Sequence, residues 1–320
     1  MRVFVAGATG AVGRRLVPQL VERGHRVVAT TRTPAKRDLL RALGAQPVVM
    51  DGLDAGQVGE AVVRAEPDVI IHQMTALTGV GDLRRFDREF ARTNELRTAG
   101  TDHLLAAAAA AGTGRFVAQS YTNWPNIREG GPVKTEDDPL DPQPPAAQAE
   151  TLAAIRHVER VVAEAPLTGI ALRYGNLYGP GATDPLVELL RRRRFPVVGS
   201  GAGVWSWVHV DDAAAATVAA AEHGPRGVYN VVDDDPAPIA EWLPYLAECL
   251  AAPRPRHVPL WLGRLLAGEV GVSMMTRVRG SSNARAKREL GWQPQWTSWR
   301  QGFRYGLHVP AASPPIRAAS

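Results

Sequence analysis

Val3 to Arg15 reads V-F-V-A-G-A-T-G-A-V-G-R-R, and these residues decide how the rest of the chain is read. Val3 to Ala6 is a short apolar run that reads as a first buried strand. Gly7, Gly10 and Gly13 follow at G-x-x-G-x-x-G spacing. Arg14 to Arg23 then reads as a helix with Leu16, Val17, Leu20 and Val21 turned inward. Strand, glycine turn and helix in that order build the phosphate cradle of a dinucleotide site. Gly7 permits the tight turn, Gly10 lets the backbone approach a pyrophosphate, and Gly13 lets helix and strand pack closely. Thr9, Ala11 and Val12 complete the turn. The helix N-terminus offers free N–H groups and the positive end of its dipole.

Working outward, His25 to Thr30 reads as a second strand. The residue after it faces the adenosine ribose: an acid there binds the 2′-hydroxyl, whereas an Arg accommodates a 2′-phosphate. Arg32 stands at that place, Lys36 is close by, and no acid occurs before Asp38. This favours NADP over NAD. Pro47 to Met50 reads as a third strand ending at Asp51 and Gly52, and Val58 to Arg64 as a helix. Pro67 to His72 is a fourth strand whose unbroken apolar run suits burial on both faces. Leu83 to Ala111 reads as one long helical region containing Asn94, and Arg115 to Gln119 as a fifth strand. Strands and helices alternate, which predicts an α/β fold with a Rossmann-type, doubly wound parallel sheet. Residues 1–175 are expected to form the dinucleotide-binding domain. Residues 176–307 are expected to form a smaller C-terminal, mainly substrate-binding portion with some strands returning to the sheet, and residues 308–320 a frayed tail.

Composition bounds the function. The chain has 320 residues, 45% of them hydrophobic and 22% charged, with a net charge of +5. These values are ordinary for a globular protein. Basic residues are scattered except for Arg191 to Arg194, which reads as the solvated end of a helix, so no nucleic-acid face is expected. Cys249 is the single cysteine, and no His/Asp/Glu cluster has metal-ligand spacing, so no metal is expected. No apolar run approaches membrane-span length. The first residues already read as a core strand, so the cytoplasm is the compartment expected. The expected partner is a small-molecule substrate, with a homodimer left open as the assembly.

Further motifs lie along the chain: I-I-H-Q-M-T-A at Ile70 to Ala76, T-N-E-L-R-T-A-G-T-D-H-L-L around Asn94, and L-R-Y-G-N-L-Y-G-P-G at Leu172 to Gly181. W-V-H-V-D-D-A-A at Trp207 to Ala214, Y-N-V-V-D at Tyr229 to Asp233 and A-K-R-E-L-G-W-Q-P at Ala286 to Pro294 follow. With the glycine turn and Asp51, these resemble the extended short-chain dehydrogenases/reductases, the group of NAD(P)-dependent epimerases, dehydratases and reductases. The resemblance implies that Asp51 contacts the adenine, that Ala76 lines the cofactor, and that residues after Arg173, Tyr174 first, lie near the nicotinamide.

The chain departs from that group where the chemistry is done. The family's proton relay is a Tyr-x-x-x-Lys pair with a Ser or Thr, in which the Lys and the cofactor lower the Tyr pKa. Here Pro144 to Glu159 reads P-P-A-A-Q-A-E-T-L-A-A-I-R-H-V-E and contains neither Tyr nor Lys. Anchored on Glu159, the two positions hold Thr151 and Ile155. Substitutes are sought at the carboxyl end of the fifth strand, in Ser120, Tyr121 and Thr122. Asn94, Glu150, Thr151, Tyr174 and Tyr178 stand as further candidates, and Tyr121 leads. His157 is read on the solvent side of its helix. Asn123 to Pro145, rich in Pro, Gly and Asp, reads as a long loop over the site. Trp205, Trp207, Met274 and Met275 offer apolar surface that leans toward an apolar substrate. Three readings stay open: an NADP-dependent reductase of a carbonyl-type apolar molecule with a non-standard proton donor, an epimerase, isomerase or dehydratase of a sugar nucleotide or natural product, and a non-catalytic NADP-binding sensor.

Overall fold

The computed structural model describes residues 1–77 and 81–307. Seven strands form the main sheet: β1 (Arg2–Ala6), β2 (Arg26–Thr31), β3 (Gln46–Val49), β4 (Val69–His72), β5 (Arg115–Tyr121), β6 (Thr168–Tyr174) and β7 (Gly227–Val231). Their order is β3-β2-β1-β4-β5-β6-β7, and every neighbouring pair is parallel. All four residues of β4 are buried, as its unbroken apolar run requires. The strand order reverses between β1 and β4, and ligands of such sheets bind at the carboxyl ends beside that reversal.

Helices α1 (Gly13–Glu22), α2 (Arg37–Ala42), α3 (Ala55–Ala65), α4 (Phe86–Arg97), α5 (Ala99–Ala110) and α6 (Ala149–Glu164) belong to the first half. After them come α7 (Asp184–Arg191) and α8 (Val210–Glu222). Leu16, Val17 and Leu20 of α1 join Val3, Val5 and the alanines of α8 in one core layer. Phe4, Ile70 and Phe116 face the opposite layer, with Val58 and Val62 of α3, Leu104 of α5 and Val158 of α6.

The single helix expected over Leu83 to Ala111 is two. Thr98, at φ −91° and ψ −88°, separates α4 from α5. Both its N–H and its hydroxyl bond to the carbonyl of Asn94, each at 2.9 Å. A threonine hydroxyl bonding back four residues bends a helix in this way. The run after the helix Asp184–Arg191 is exposed from Arg191 to Arg194, a solvated helix end.

The C-terminal half has its own core. Asn176–Tyr178 pairs in parallel with Trp207–His209. Helices α9 (Ile239–Cys249), α10 (Leu260–Thr276) and α12 (Trp299–Tyr305) complete it, while α11 (Ala284–Leu290) packs its Ala286 and Leu290 into the main-sheet layer with α8. Trp207, Trp242, Trp299 and Phe303 pack around Tyr178 there. Trp207 is therefore core, while Trp205 is only partly buried, at the boundary with a second apolar cluster. The segment Asn123 to Pro145 is anchored more firmly than a free loop: Val133–Lys134 pairs with Gly280–Ser281, and Asn126 bridges Leu140. The tail expected at His308 to Ser320 lies outside the described residues.

Candidate active site

The glycines of the cradle divide by what surrounds them. Gly7 has φ +92°, and a Cβ there would lie 2.6 Å from the backbone of Gln73. A Cβ at Gly13 would lie 2.6 Å from the backbone of Ala8, so helix and turn touch directly. A Cβ at Gly10 meets nothing nearer than the Gly7 carbonyl at 3.5 Å, so that face of the turn is open. The Gly7 N–H donates to Thr30 Oγ1 at 3.2 Å, fixing the turn against the end of β2. Val12 caps α1 without a side-chain bond, and no carboxylate occupies the helix's first turn. The positive helix end thus keeps its capacity for an anion, and a dinucleotide pyrophosphate fits the cradle.

Around it, Arg32 is exposed just past β2. The Asp51 carboxylate accepts from the Leu53 N–H at 3.1 Å and meets Arg92 at 3.2 Å. Gly52 is buried against Met74, whose sulfur would lie 2.4 Å from an added Cβ. The Ala76 N–H donates to Thr93 Oγ1 at 3.1 Å. Tyr174 is turned away from the crevice: its hydroxyl accepts from Gln73 Nε2 at 2.8 Å and meets Thr217 of α8. Its burial pushes the phenol up to about 12. Its side chain packs in the core layer with Val3, Val5 and Val12.

The two positions that the family resemblance assigns to the dyad, Thr151 and Ile155, both lie on α6. Glu159 receives two parallel bonds from Arg173, each at 2.7 Å, and one from Ser120 at 2.7 Å. That buried pair fixes the register of α6 against β5 and β6, and with it Thr151 and Ile155. Both are 0% exposed. Thr151 donates to Asp87 Oδ1 at 2.6 Å and accepts from Asn94 Nδ2 at 3.0 Å. Asp87 also accepts the N–H groups of Glu150 and Thr151, so this carboxylate caps α6 from α4. Thr151 is a staple between two helices. Ile155 packs in an apolar cluster with Phe86, Trp124 and Leu152.

The remaining candidates separate clearly. Ser120 is bound to Glu159, and Thr122 is 0% exposed, bonded to Asn126 and Ser281. Tyr178, offered by the sequence as a catalytic residue, is a core residue. It is 0% exposed, and its ring stands edge-on to Trp207, His209 and Phe303. The hydrophobic C-terminal helices close over it, and its hydroxyl lies hard against Gly302. His157 bonds Asp102 at 2.8 Å near the surface. Tyr121 remains at the carboxyl end of β5, donating to Asn176 Oδ1 at 2.6 Å. Burial pushes its phenol up to about 12, the opposite of the shift that the Tyr-x-x-x-Lys relay needs.

Two side chains that the sequence reading passed over complete the group. Arg97 is 7% exposed, and its Nε and Nη1 are buried without a partner. Its charge and the Tyr121 phenol interact. Asn176, which accepts the Tyr121 bond, has its Nδ2 buried without a partner. The Asn94 and Gln73 side-chain oxygens are also buried and unpartnered. A signal for Arg97 was present: it lies three residues beyond Asn94, on the helix side that also carries Phe86 and Phe90.

Comparison with known proteins agrees with this geometry. The model of the "NAD dependent epimerase/dehydratase family" matches residues 3–231. A Streptomyces protein named 3-diazoavenalumate denitrifying reductase is 46% identical over 311 residues, covering 95% of this chain and 99% of its own. A ketoreductase of Stigmatella aurantiaca acting on a farnesylated dihydroquinoline oxide is 33% identical, covering 78% of this chain and 73% of its own. Among solved structures, a dTDP-glucose 4,6-dehydratase variant of Streptomyces venezuelae with NAD bound superposes with a TM-score of 0.76 at 24% identity, covering 96% of each chain; at that identity the likeness is one of fold. No helix among the described residues is long and apolar enough to cross a membrane. The chain belongs to the NAD-dependent epimerase/dehydratase family and is an NAD(P)-dependent oxidoreductase of the short-chain dehydrogenase/reductase type.

Proposed function

We propose that this enzyme is an NADP-preferring reductase of an aromatic molecule, and that its reaction makes no call on a tuned protein acid. One observation carries the proposal: the two positions of the proton relay hold a fully bonded Thr151 and a buried Ile155. Losing such a relay costs a factor of about 100 to 10,000 when the reaction depends on it. A reaction that needs only hydride escapes that loss. Removal of nitrogen from an aryl diazonium is of this kind: the cofactor supplies hydride, the carbon–nitrogen bond breaks, and Ar–N2⁺ plus H⁻ gives Ar–H plus N2, balanced in atoms and charge. The 46% identical relative carries such a diazo-directed name, which supports the reading.

The chain's own residues then orient and exclude. Gly7, Thr9, Gly10, Ala11, Val12 and Gly13 would hold the pyrophosphate, Arg32 a 2′-phosphate, and Asp51, Gly52 and Ala76 the adenosine and the approach to the crevice. Asn94 fixes Thr151, and through it the spacing of α4 and α6. Tyr121 stays protonated, with its hydroxyl committed to Asn176. Phe90, Tyr121, Trp205 and Met274 are partly buried side chains on the apolar cluster around Ile155, and they present a dry, flat-sided surface to an aromatic ring. Residues 176–307 would supply the far side of that surface.

The test is isotopic. The enzyme is incubated with NADPH deuterated at the transferable C4 position and with an aryl diazonium, an aryl ketone and an enone in parallel. Deuterium on the product ring carbon after nitrogen loss is expected. Product formed at undiminished NADPH, without deuterium from either C4 face, would move the enzyme to the isomerase or lyase class.

A further inference from the structure

Arg97 presents an energetic problem that nothing in the described residues solves. Its guanidinium is nearly sealed from water, forms no hydrogen bond or ion pair among those residues, and leaves Nε and Nη1 without an acceptor. Burial lowers it only to about 10, so it is charged at neutral pH. A buried, unpaired charge costs several kcal/mol. Two carboxylates of the packed helices α4 and α6 are committed elsewhere: Asp87 caps α6, and Glu159 is clamped by Arg173. Beside it a second donor is also idle. Asn176 Nδ2 is buried without a partner while its oxygen holds the Tyr121 hydroxyl. The spare amide group lies at the Tyr121 phenol, at the carboxyl end of β5, next to the apolar cluster of Phe90, Trp124 and Met274, and the Arg97 charge acts on that same phenol.

Unfilled donors of this kind, one of them charged, define a receptor for an anionic oxygen. We propose that Arg97, assisted by Asn176, binds an anionic oxygen of the substrate, a carboxylate or a phenolate carried on an aromatic frame, and so holds the ring against Tyr121. The proposal rests on the reductase reading above and narrows it to aromatic acids. It also says why the protein keeps an expensive charge: the free enzyme gives up stability that the bound anion restores.

The experiment separates recognition from turnover. Protein loaded with NADP⁺ is titrated with trans-cinnamate, with neutral cinnamamide and, at alkaline pH, with 4-nitrophenolate, following tryptophan fluorescence and calorimetry. Wild-type protein is expected to prefer at least one of the two anions to cinnamamide by about tenfold or more, ~1.4 kcal/mol. Whichever anion gains identifies the group as carboxylate or phenolate. Arg97→Met should abolish the preference, leave NADPH affinity unchanged and raise the melting temperature of the free protein. Arg97→Lys should keep part of the preference at the wild-type melting temperature, and this second variant keeps the test intact if the first does not fold. The proposal is overturned if wild-type protein shows no preference for either anion, if Arg97→Met retains it, or if that variant instead lowers the melting temperature or weakens NADPH binding with anion selectivity intact. None of these readings depends on hydride transfer, so the isotope experiment can fail while this one succeeds, and the reverse.

Discussion

The cofactor side and the proton side of this crevice lie on the same sheet, yet they have diverged differently from the family pattern. On the cofactor side, Gly7 and Gly13 are fixed by backbone contacts that a single methyl group would violate, and the helix end is open. On the proton side, Glu159, Arg173 and Ser120 still form their buried bonds, but the two positions that those bonds place in register carry no acid and no ammonium. The frame that would hold a relay has outlasted the relay. A dinucleotide site and an acid–base site are thus separable inventions, and a hydride donor remains useful when the proton demand disappears.

The largest expected effect sharpens the proton side. His72 ends β4 beside the crevice and looks like a ready substitute acid. Its ring accepts the Met74 N–H on Nδ1 and donates from Nε2 to the Leu96 carbonyl, which fixes one neutral tautomer. Burial lowers it to about 4 from 6.5. The unfolded chain therefore takes up a proton that the folded chain refuses between those values, so stability is full above about pH 6.5 and falls as pH drops toward 4. Between about pH 7 and pH 5 the loss due to this ring is roughly 2 kcal/mol. Urea unfolding at the two pH values measures it, and His72→Gln should show a flatter pH dependence by about that amount. An equal slope in both proteins would mean that His72 titrates normally and is available as an acid.

The cofactor side is sharpened by Arg32. Arg32→Asp should weaken NADPH by at least ~1.4 kcal/mol, a tenfold change, and leave NADH nearly unaffected. Fluorescence titration with both dinucleotides reads this directly. Equal loss for both would make Arg32 a general electrostatic contributor, and no change would remove it from the site.

What the sequence made legible follows the same division. The glycine turn, the alternation of strands and helices and the sheet they predict depend on local pattern, and pattern survives in a single chain. The same is true of Glu159 as an anchor, because a glutamate eight residues beyond the lost tyrosine position marks its register. Tyr178 was misleading for a physical reason: a tyrosine four residues beyond a crevice strand reads the same whether it faces ligand or core, and only α12, more than a hundred residues later, decides that it faces core. Arg97 stands in the same stretch as Arg85, Arg88 and Arg92, and local composition does not set it apart from them. Its burial comes from α4 lying on α6 and from the chain turning at Thr98, and neither is visible in local composition.

The smallest effect is the one that decides how the proton side works. Tyr121 holds the place where a substitute acid would stand, and a tyrosine acting as the relay would carry a lowered pKa and a hydroxyl free for substrate. Tyr121 has neither: burial raises it to about 12, and its proton is already given to Asn176 Oδ1 at 2.6 Å. Removing the hydroxyl takes away one neutral hydrogen bond, worth about 1 kcal/mol, and frees the Asn176 amide oxygen to face whatever enters. Tyr121→Phe should therefore lower turnover by less than about tenfold, while an essential acid would cost a factor of about 100 to 10,000. The assay is single-turnover oxidation of NADPH with an aryl diazonium and, separately, with an aryl ketone, whose alkoxide product does require a proton. A small loss with the diazonium and a large one with the ketone would show one crevice serving both demands, with Tyr121 recruited only when a proton is called for. A large loss with both, at unchanged melting temperature and cofactor affinity, would make Tyr121 the acid of this enzyme and return the proton side to the family's plan.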